Sequence, residues 1–165
     1  MVAAPFLFDL GAADPLTFLV LLFLYSIAAA VALPIPVEFF LLLNPGVDPL
    51  VSAAVLGLGK GVGAIVVFIV GHKVNPWIER WIGRHSIGGR ILKVLELFVR
   101  KTGWPGLLVL LAIPFMSDTA VNYFYALLNE EGHAIRRWSF VAANVVGGTA
   151  RALVVLWVLP LILGS

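Results

Sequence analysis

Long apolar runs dominate the chain, and charged residues are rare within them. Residues 15–33 form a charge-free apolar run, and residues 50–71 form a second run that is interrupted only by Lys60. A helix needs about 20 apolar residues to cross a bilayer, so both runs are long enough. The few apolar residues after Glu38, 39–43, are too short to span and predict a half-helix that returns to its own side. Whether 15–33 crosses fully or forms the first arm of such a hairpin stays open.

A second half of the chain has the same order of elements. Its first apolar run breaks at Pro114 and resumes through Asp118, ahead of a polar loop and a last apolar run at 138–163. Asp118 lies four residues after Pro114, just as Glu38 lies four residues after Pro34. Prolines remove amide donors and stop helices, so they predict the hairpin breaks. The predicted breaks are at Pro34, Pro36 and Pro114.

The two halves can be overlaid as repeats. With one offset Glu38 falls on Asp118, and after a short insertion residues 59–70 fall on 147–158 without a gap. We predict a single membrane domain, residues 1–165, with repeat 1 at about 15–72, a connector at 73–103 and repeat 2 at about 104–163.

Composition sets the protein class. Apolar residues make up 61% of the chain, charged residues only 12%, and the mean hydropathy is +1.05, which indicates an integral membrane protein. The chain has no cysteine and three scattered histidines, so we predict no disulfide, metal site or cofactor. No leader with a cleavage pattern precedes the first run, so we expect no removable signal peptide. Nucleotide-binding and nucleophile motifs are lacking, which predicts that the protein is not an enzyme.

Basic residues lie mainly in 73–101 and at Arg136 and Arg137, whereas residues 1–59 contain no Lys or Arg. Within 73–103, tryptophans and apolar residues recur at helical spacing, which predicts amphipathic interfacial helices divided at Gly88-Gly89. Positive loops stay cytoplasmic, so we place the connector 73–103 and the loop 129–137 on the cytoplasmic side of the cell membrane. The two halves then have opposite orientations. The predicted fold is an all-α membrane protein, an inverted repeat with two re-entrant hairpins.

Charged side chains at membrane depth are candidates for the functional site. An acidic residue at the bilayer centre costs roughly 2.5 to 3.5 kcal/mol, so Glu38 and Asp118 are predicted to carry protons or bind substrate at the hairpin tips. Lys60 and Arg151, three positions apart on overlaid helices, are predicted to face one cavity with them. Helix capping and a structural ion pair remain alternatives. Further cavity-lining candidates, which are alternatively packing residues, are Ser117, Asn122, Tyr123 and Asn144.

Four short motifs resemble the DedA superfamily of VTT-domain proteins. They are 34–38 (Pro-Ile-Pro-Val-Glu), 59–63 with the helix that follows to His72, 98–103, and 111–114 (Leu-Ala-Ile-Pro). The resemblance implies paired re-entrant loops that face each other from opposite leaflets, and lipid flipping, lipid scrambling or proton-coupled transport.

The chain departs from the family pattern at two points. Residues 115–118 replace the arginines usual after the second-hairpin proline, and Ala64 stands where an acid is expected. Those arginines are natural phosphate ligands, so a phosphate-bearing substrate would need its charge from Lys60 or Arg151.

These observations predict a membrane transporter or lipid flippase of the DedA type that is coupled to protons. The alternatives are a gradient-independent lipid scramblase and a non-transporting membrane scaffold. Expected partners are membrane lipids, a small-molecule or lipid substrate, and protons or another ion, but no nucleic acid. Homo-oligomerisation, the substrate and the side of the N-terminus stay open.

Overall fold

The computed structural model describes residues 14–33, 36–43, 46–82, 86–129, 135–158 and 161. Only the backbone is described for Glu38, His72 and residues 74–82, 86–93 and 96. The predicted break at Pro34 lies outside the described residues.

Every regular element in the described ranges is helical, which confirms the predicted all-α class. Two helical segments, Pro49–Gly71 and Arg137–Val158, are long and apolar enough to cross a membrane. In chain order the helices are α1 (Pro15–Val31), α2 (Glu38–Leu41), α3 (Pro49–Ile82), α4 (Ser86–Ala112), α5 (Asp118–Leu127) and α6 (Arg137–Leu153), which continues as a π-helix (Val154–Val158).

Local chemistry explains where α1 begins and ends. Asp14 caps its N-terminus, where the carboxylate accepts hydrogen bonds from the Thr17 backbone N–H at 3.1 Å and the Thr17 hydroxyl at 2.6 Å. Pro15 suits the first helical position because its fixed φ matches a helix and its missing N–H is not needed there. The helix ends at Val31, and the chain between it and the short α2 contains Pro36.

The connector is organised differently from the prediction. Helix α3 continues past its apolar part to Ile82, and α4 begins at Ser86. Gly88 and Gly89 lie inside α4, so the predicted division at this pair is wrong. A glycine in a helix interior costs only about 1 kcal/mol relative to alanine, which the surrounding helix-forming residues can offset.

Helix α4 changes direction at Gly103, two residues before Pro105. The backbone of Gly103 has φ 53° and ψ −147°, a conformation that glycine adopts readily because it lacks a Cβ. This kink separates the connector part of α4, residues 86–102, from an apolar arm at 104–112.

The long helix α3 runs in the same direction as α1, and the long helix α6 runs in the same direction as the apolar arm of α4. On α3, a Cβ at Gly59 would lie 2.7 Å from the carbonyl oxygen of Phe23, and one at Gly63 would lie 2.9 Å from that of Ile27. Positions on α1 and α3 therefore advance together. Trp104, at the start of the α4 arm, lies beside residues 139–146 of α6, and a Cβ at Gly147 would lie 2.9 Å from Leu111 Cβ at the far end of that arm.

The two long helices α3 and α6 run antiparallel to each other. Gly57 packs against Thr149, whereas Gly61, one turn later on α3, packs against Val145 and Val141, earlier on α6. Close approach requires glycine here because a side chain would enter the facing helix. Two buried apolar clusters flank this pair: one joins α3, α4, α5 and α6, and the other joins α1, α2, α3 and the C-terminal part of α6 with its π-helix.

Candidate functional site

Three charged side chains meet between the long helices. Lys60 Nζ on α3 lies 2.8 Å from Asp118 Oδ2, and Arg151 Nη2 on α6 lies 3.0 Å from Asp118 Oδ1. All three residues are buried, with exposed fractions of 0%, 5% and 1% for Lys60, Asp118 and Arg151. Two cations thus share the Asp118 carboxylate. We call these residues the charge cluster.

Arg151 also binds the backbone on both sides of the second helix break. Its Nε donates to the Leu111 carbonyl oxygen at 2.7 Å, and its Nη1 donates to the Met116 carbonyl oxygen at 3.0 Å. A helix end leaves carbonyls without intrahelical partners, and in an apolar medium each unsatisfied group is costly. The guanidinium therefore holds the α4 arm, the break and the start of α5 together.

The charge cluster lies deep along the candidate membrane spans. Lys60 is eleven residues from either end of Pro49–Gly71, which is roughly 16 Å at 1.5 Å per residue. Arg151 is seven residues from the end of Arg137–Val158, roughly 10 Å. The cluster is thus near the middle of α3's membrane-length segment.

A glycine makes room for the lysine side chain. A Cβ at Gly148 on α6 would lie 2.7 Å from Lys60 Cδ. The aliphatic part of Lys60 therefore crosses the surface of α6 at a position without a side chain and reaches Asp118 beyond it. The sequence gives no sign of this role, since nothing in a glycine pair signals which side chain lies over it.

The other predicted residues of α5 have different surroundings. Ser117 is the N-cap of α5, and its hydroxyl accepts from the Ala120 backbone N–H at 3.3 Å. Asn122 lies one turn after Asp118 and is fully buried, yet its side-chain amide makes no hydrogen bond within the described part of the chain. Tyr123 is half-buried and packs against an apolar cluster.

Asn144 and the predicted hairpin residues lie elsewhere. Asn144 on α6 is buried and donates from Nδ2 to the Phe140 carbonyl oxygen at 3.1 Å. Pro36 lies in the first break and Pro114 in a turn of the second. Glu38 is the first residue of α2, and its side chain lies outside what the structure describes.

The two breaks contact each other, which the sequence analysis did not predict at residue level. The Thr119 hydroxyl, in the first turn of α5, lies 2.7 Å from the Ala29 carbonyl oxygen and 3.0 Å from that of Leu33, so it can donate to either. The rings of Phe39 and Phe115 lie 6.4 Å apart between centroids. The C-terminal end of α1 thus meets the N-terminal end of α5.

Phe115 has an unusual backbone. Its φ is 61°, in the left-handed region that a bulky residue rarely adopts. Such strain costs about 1 to 3 kcal/mol and is concentrated at functional sites in many proteins. No signal in the sequence marks a phenylalanine for this conformation.

A family comparison agrees with these features. Residues 16–159 match the family model of the VTT domain. The chain belongs to the VTT-domain family, the DedA superfamily. This confirms the resemblance found in the sequence. Neither the curated proteins nor the solved structures that were compared gave a significant match.

As a VTT-domain protein, the chain is a membrane protein, and its family is generally not enzymatic. The matched residues include the whole charge cluster and both helix breaks. No three His, Cys, Asp or Glu side chains come together within the described ranges in a way that would hold a metal ion. A carboxylate beside two cations can form ion pairs, exchange a proton and bind charged groups.

Proposed function

We propose that this VTT-domain protein is a proton-coupled transporter or lipid flippase of the cell membrane, with the charge cluster as its substrate and proton site. The observation that carries the proposal is the placement of Lys60, Asp118 and Arg151. These side chains are buried near the middle of the membrane-length part of α3 and beside the contact between the two broken helices. Broken helices that meet near the midplane form the sites of many secondary transporters.

Helix directions support an inverted repeat with two re-entrant hairpins. In the first half α1 and α3 run in the same direction, and in the second half the α4 arm and α6 do. The chain between the two members of each pair must therefore return to the side where the first member began. The short α2 and the ten-residue α5 are the returning segments in this arrangement. Because α3 and α6 are antiparallel, the halves enter from opposite sides, with residues 73–103 and 129–137 on the cytoplasmic side.

The two cations support an anionic substrate group. Both are buried, where opposite charge is attracted more strongly than in water. Lys60 and Arg151 supply the positive charge that the family places after the second-hairpin proline. The buried Asn122 amide, one turn from Asp118, would provide a further hydrogen-bonding group for the substrate.

Proton coupling follows from the shared carboxylate. Asp118 holds both cations, so an ionised Asp118 competes with an anionic substrate for them. A proton on Asp118 weakens both ion pairs and strengthens the attraction of the cations for the substrate. Loss of that proton restores the pairs and expels the substrate. A proton gradient then drives net movement.

Three variants separate charge from protonation. Lys60→Met removes one positive charge and keeps the Asp118 carboxylate. Asp118→Asn removes that carboxylate and so adds one positive charge relative to the wild type. The double variant lacks the Asp118 carboxylate but has the same net charge as the wild type. Lys73→Met, the same change at an exposed residue, is the matched control.

The assay measures translocation of fluorescent anionic and zwitterionic lipids in proteoliposomes, with and without a pH gradient. We expect the wild type and Lys73→Met to respond to the gradient. Lys60→Met should lose its preference for anionic lipid, and the double variant should move lipid without responding to the gradient. Gradient-independent wild-type exchange would instead identify a scramblase. Unchanged flux per folded molecule in all variants would identify a scaffold role for the cluster.

A further inference from the structure

An apolar groove lies on the outer surface between the α4 arm and the first half of α6, away from the charge cluster. It has a volume of about 250 Å³. Its lining residues are Trp104, Leu108, Ser139, Ala142, Ala143 and Val146.

The groove follows α6 for about two helical turns. Its four α6 residues, at 139, 142, 143 and 146, follow the spacing of one helix face and are mostly small, so they leave a channel. From Ser139 to Val146 the channel is roughly 10 Å long. Because the α4 arm and α6 run in the same direction, Trp104 and Ser139 lie at the same end.

Basic residues precede that end of the groove in both segments. The exposed Lys101 is three residues before Trp104, and the exposed Arg137 is two residues before Ser139. Trp138 is exposed beside them, with the Arg137 guanidinium 5.7 Å from the centre of its ring. Tryptophan and arginine together are typical of the membrane–water interface. The exposed basic residues at this end are Arg100, Lys101, Arg136 and Arg137.

We propose that this groove binds one acyl chain of an anionic membrane lipid, whose headgroup contacts the basic residues at its end. The apolar channel fits a chain, and the four positive charges fit a negative headgroup. A second copy of the protein fits less well, because a symmetric contact on this surface would bring the same positive residues together. The proposal does not depend on the transport function.

The test uses Trp104 as a reporter. The protein has five tryptophans, so the other four are changed to phenylalanine. Quenching of Trp104 by lipids with brominated acyl chains is measured for phosphatidylglycerol and phosphatidylcholine. Each basic residue near the surface is worth about 1 kcal/mol of attraction to anionic lipid, so we expect at least roughly fivefold tighter binding of phosphatidylglycerol.

Two variants check the location. Ala142→Leu places a larger side chain in the groove from an exposed position and should abolish the excess quenching by phosphatidylglycerol. Ala54→Leu, the same change at an exposed position of α3, should leave it unchanged. Equal quenching by both lipids, or no effect of Ala142→Leu, would overturn the proposal.

Native mass spectrometry gives a second readout if the single-tryptophan protein fails to fold. Wild-type protein released from mixed-lipid nanodiscs should retain a phosphatidylglycerol molecule that Ala142→Leu loses and Ala54→Leu keeps. A dimer without bound lipid that Ala142→Leu dissociates would assign the groove to a second copy and refute lipid binding.

Discussion

Replacing Asp118 by asparagine should destabilise the protein much more than replacing Lys60 by methionine. Asp118→Asn removes the carboxylate from both ion pairs, which have N–O distances of 2.8 and 3.0 Å. At an effective dielectric constant of about 20, each pair is worth on the order of 6 kcal/mol before desolvation is subtracted. The variant leaves two buried cations without their carboxylate, and loss of one partner of a buried pair costs about 3 to 5 kcal/mol.

Lys60→Met also removes one attraction, but it removes the buried ammonium as well. The desolvation of that ammonium, several kcal/mol, no longer opposes folding, and Asp118 stays paired with Arg151. We therefore expect a change within about 2 kcal/mol of zero. Combining Lys60→Met with Asp118→Asn should be less destabilising than Asp118→Asn alone by about 1 to 3 kcal/mol, because one of the two cations that lose the Asp118 carboxylate is gone.

The free energy of unfolding can be measured in mixed micelles by titration with sodium dodecyl sulfate, followed by far-ultraviolet circular dichroism. Lys101→Met serves as the control, because its side chain is exposed and its loss should change little. The reasoning is refuted if Lys60→Met is as destabilising as Asp118→Asn, or if the double variant equals the sum of the single changes.

Other features give separate predictions. Gly57→Leu should push α3 away from α6 and lower the unfolding temperature by several degrees, whereas Ala54→Leu on the exposed face should not; thermal unfolding that treats them alike would contradict the packing. The protein lacks cysteine, so Phe39→Cys with Phe115→Cys gives a clean pair, and a short bifunctional reagent should join them and block transport. The two single-cysteine proteins are the controls, and each should keep its activity after treatment with the same reagent. Hydrogen bonds from the first turn of α1 lower the pKa of Asp14 below its ordinary value of 3.8, so the cap's stabilisation is present above that value and is lost as pH falls through the lower folded pKa. Asp14→Asn should remove this acid dependence of thermal unfolding, and an unchanged profile would assign it to other groups.

Part of the candidate site was accessible from the sequence. Charges within apolar runs are rare, so Lys60, Asp118 and Arg151 could be singled out by the cost of burying them. Their pairing was less accessible. The sequence analysis expected the two cations to face one cavity with both acids, and the structure shows both cations on Asp118, whereas the Glu38 side chain lies outside what it describes. Long flexible side chains reach several partners, so sequence spacing alone does not choose among them.

The contacts between the breaks were beyond sequence reasoning for a related reason. Thr119 and Phe115 carry no distinguishing pattern, and their roles arise from carbonyl oxygens and a ring contributed by residues about 80 to 90 positions away. In the connector, sequence reasoning failed because it relied on a local signal alone. Glycine propensity predicted a boundary at Gly88-Gly89, but a single weak propensity does not decide a helix end.

By itself, the sequence determined that this is a helical membrane protein with interrupted apolar runs, because hydropathy and proline act locally and need no partner. The tertiary structure alone decided which charges meet, which glycines receive a neighbouring side chain and where the two breaks touch. Those outcomes depend on how α1, α3, α5 and α6 pack, and packing directions are set by contacts between segments far apart in the chain.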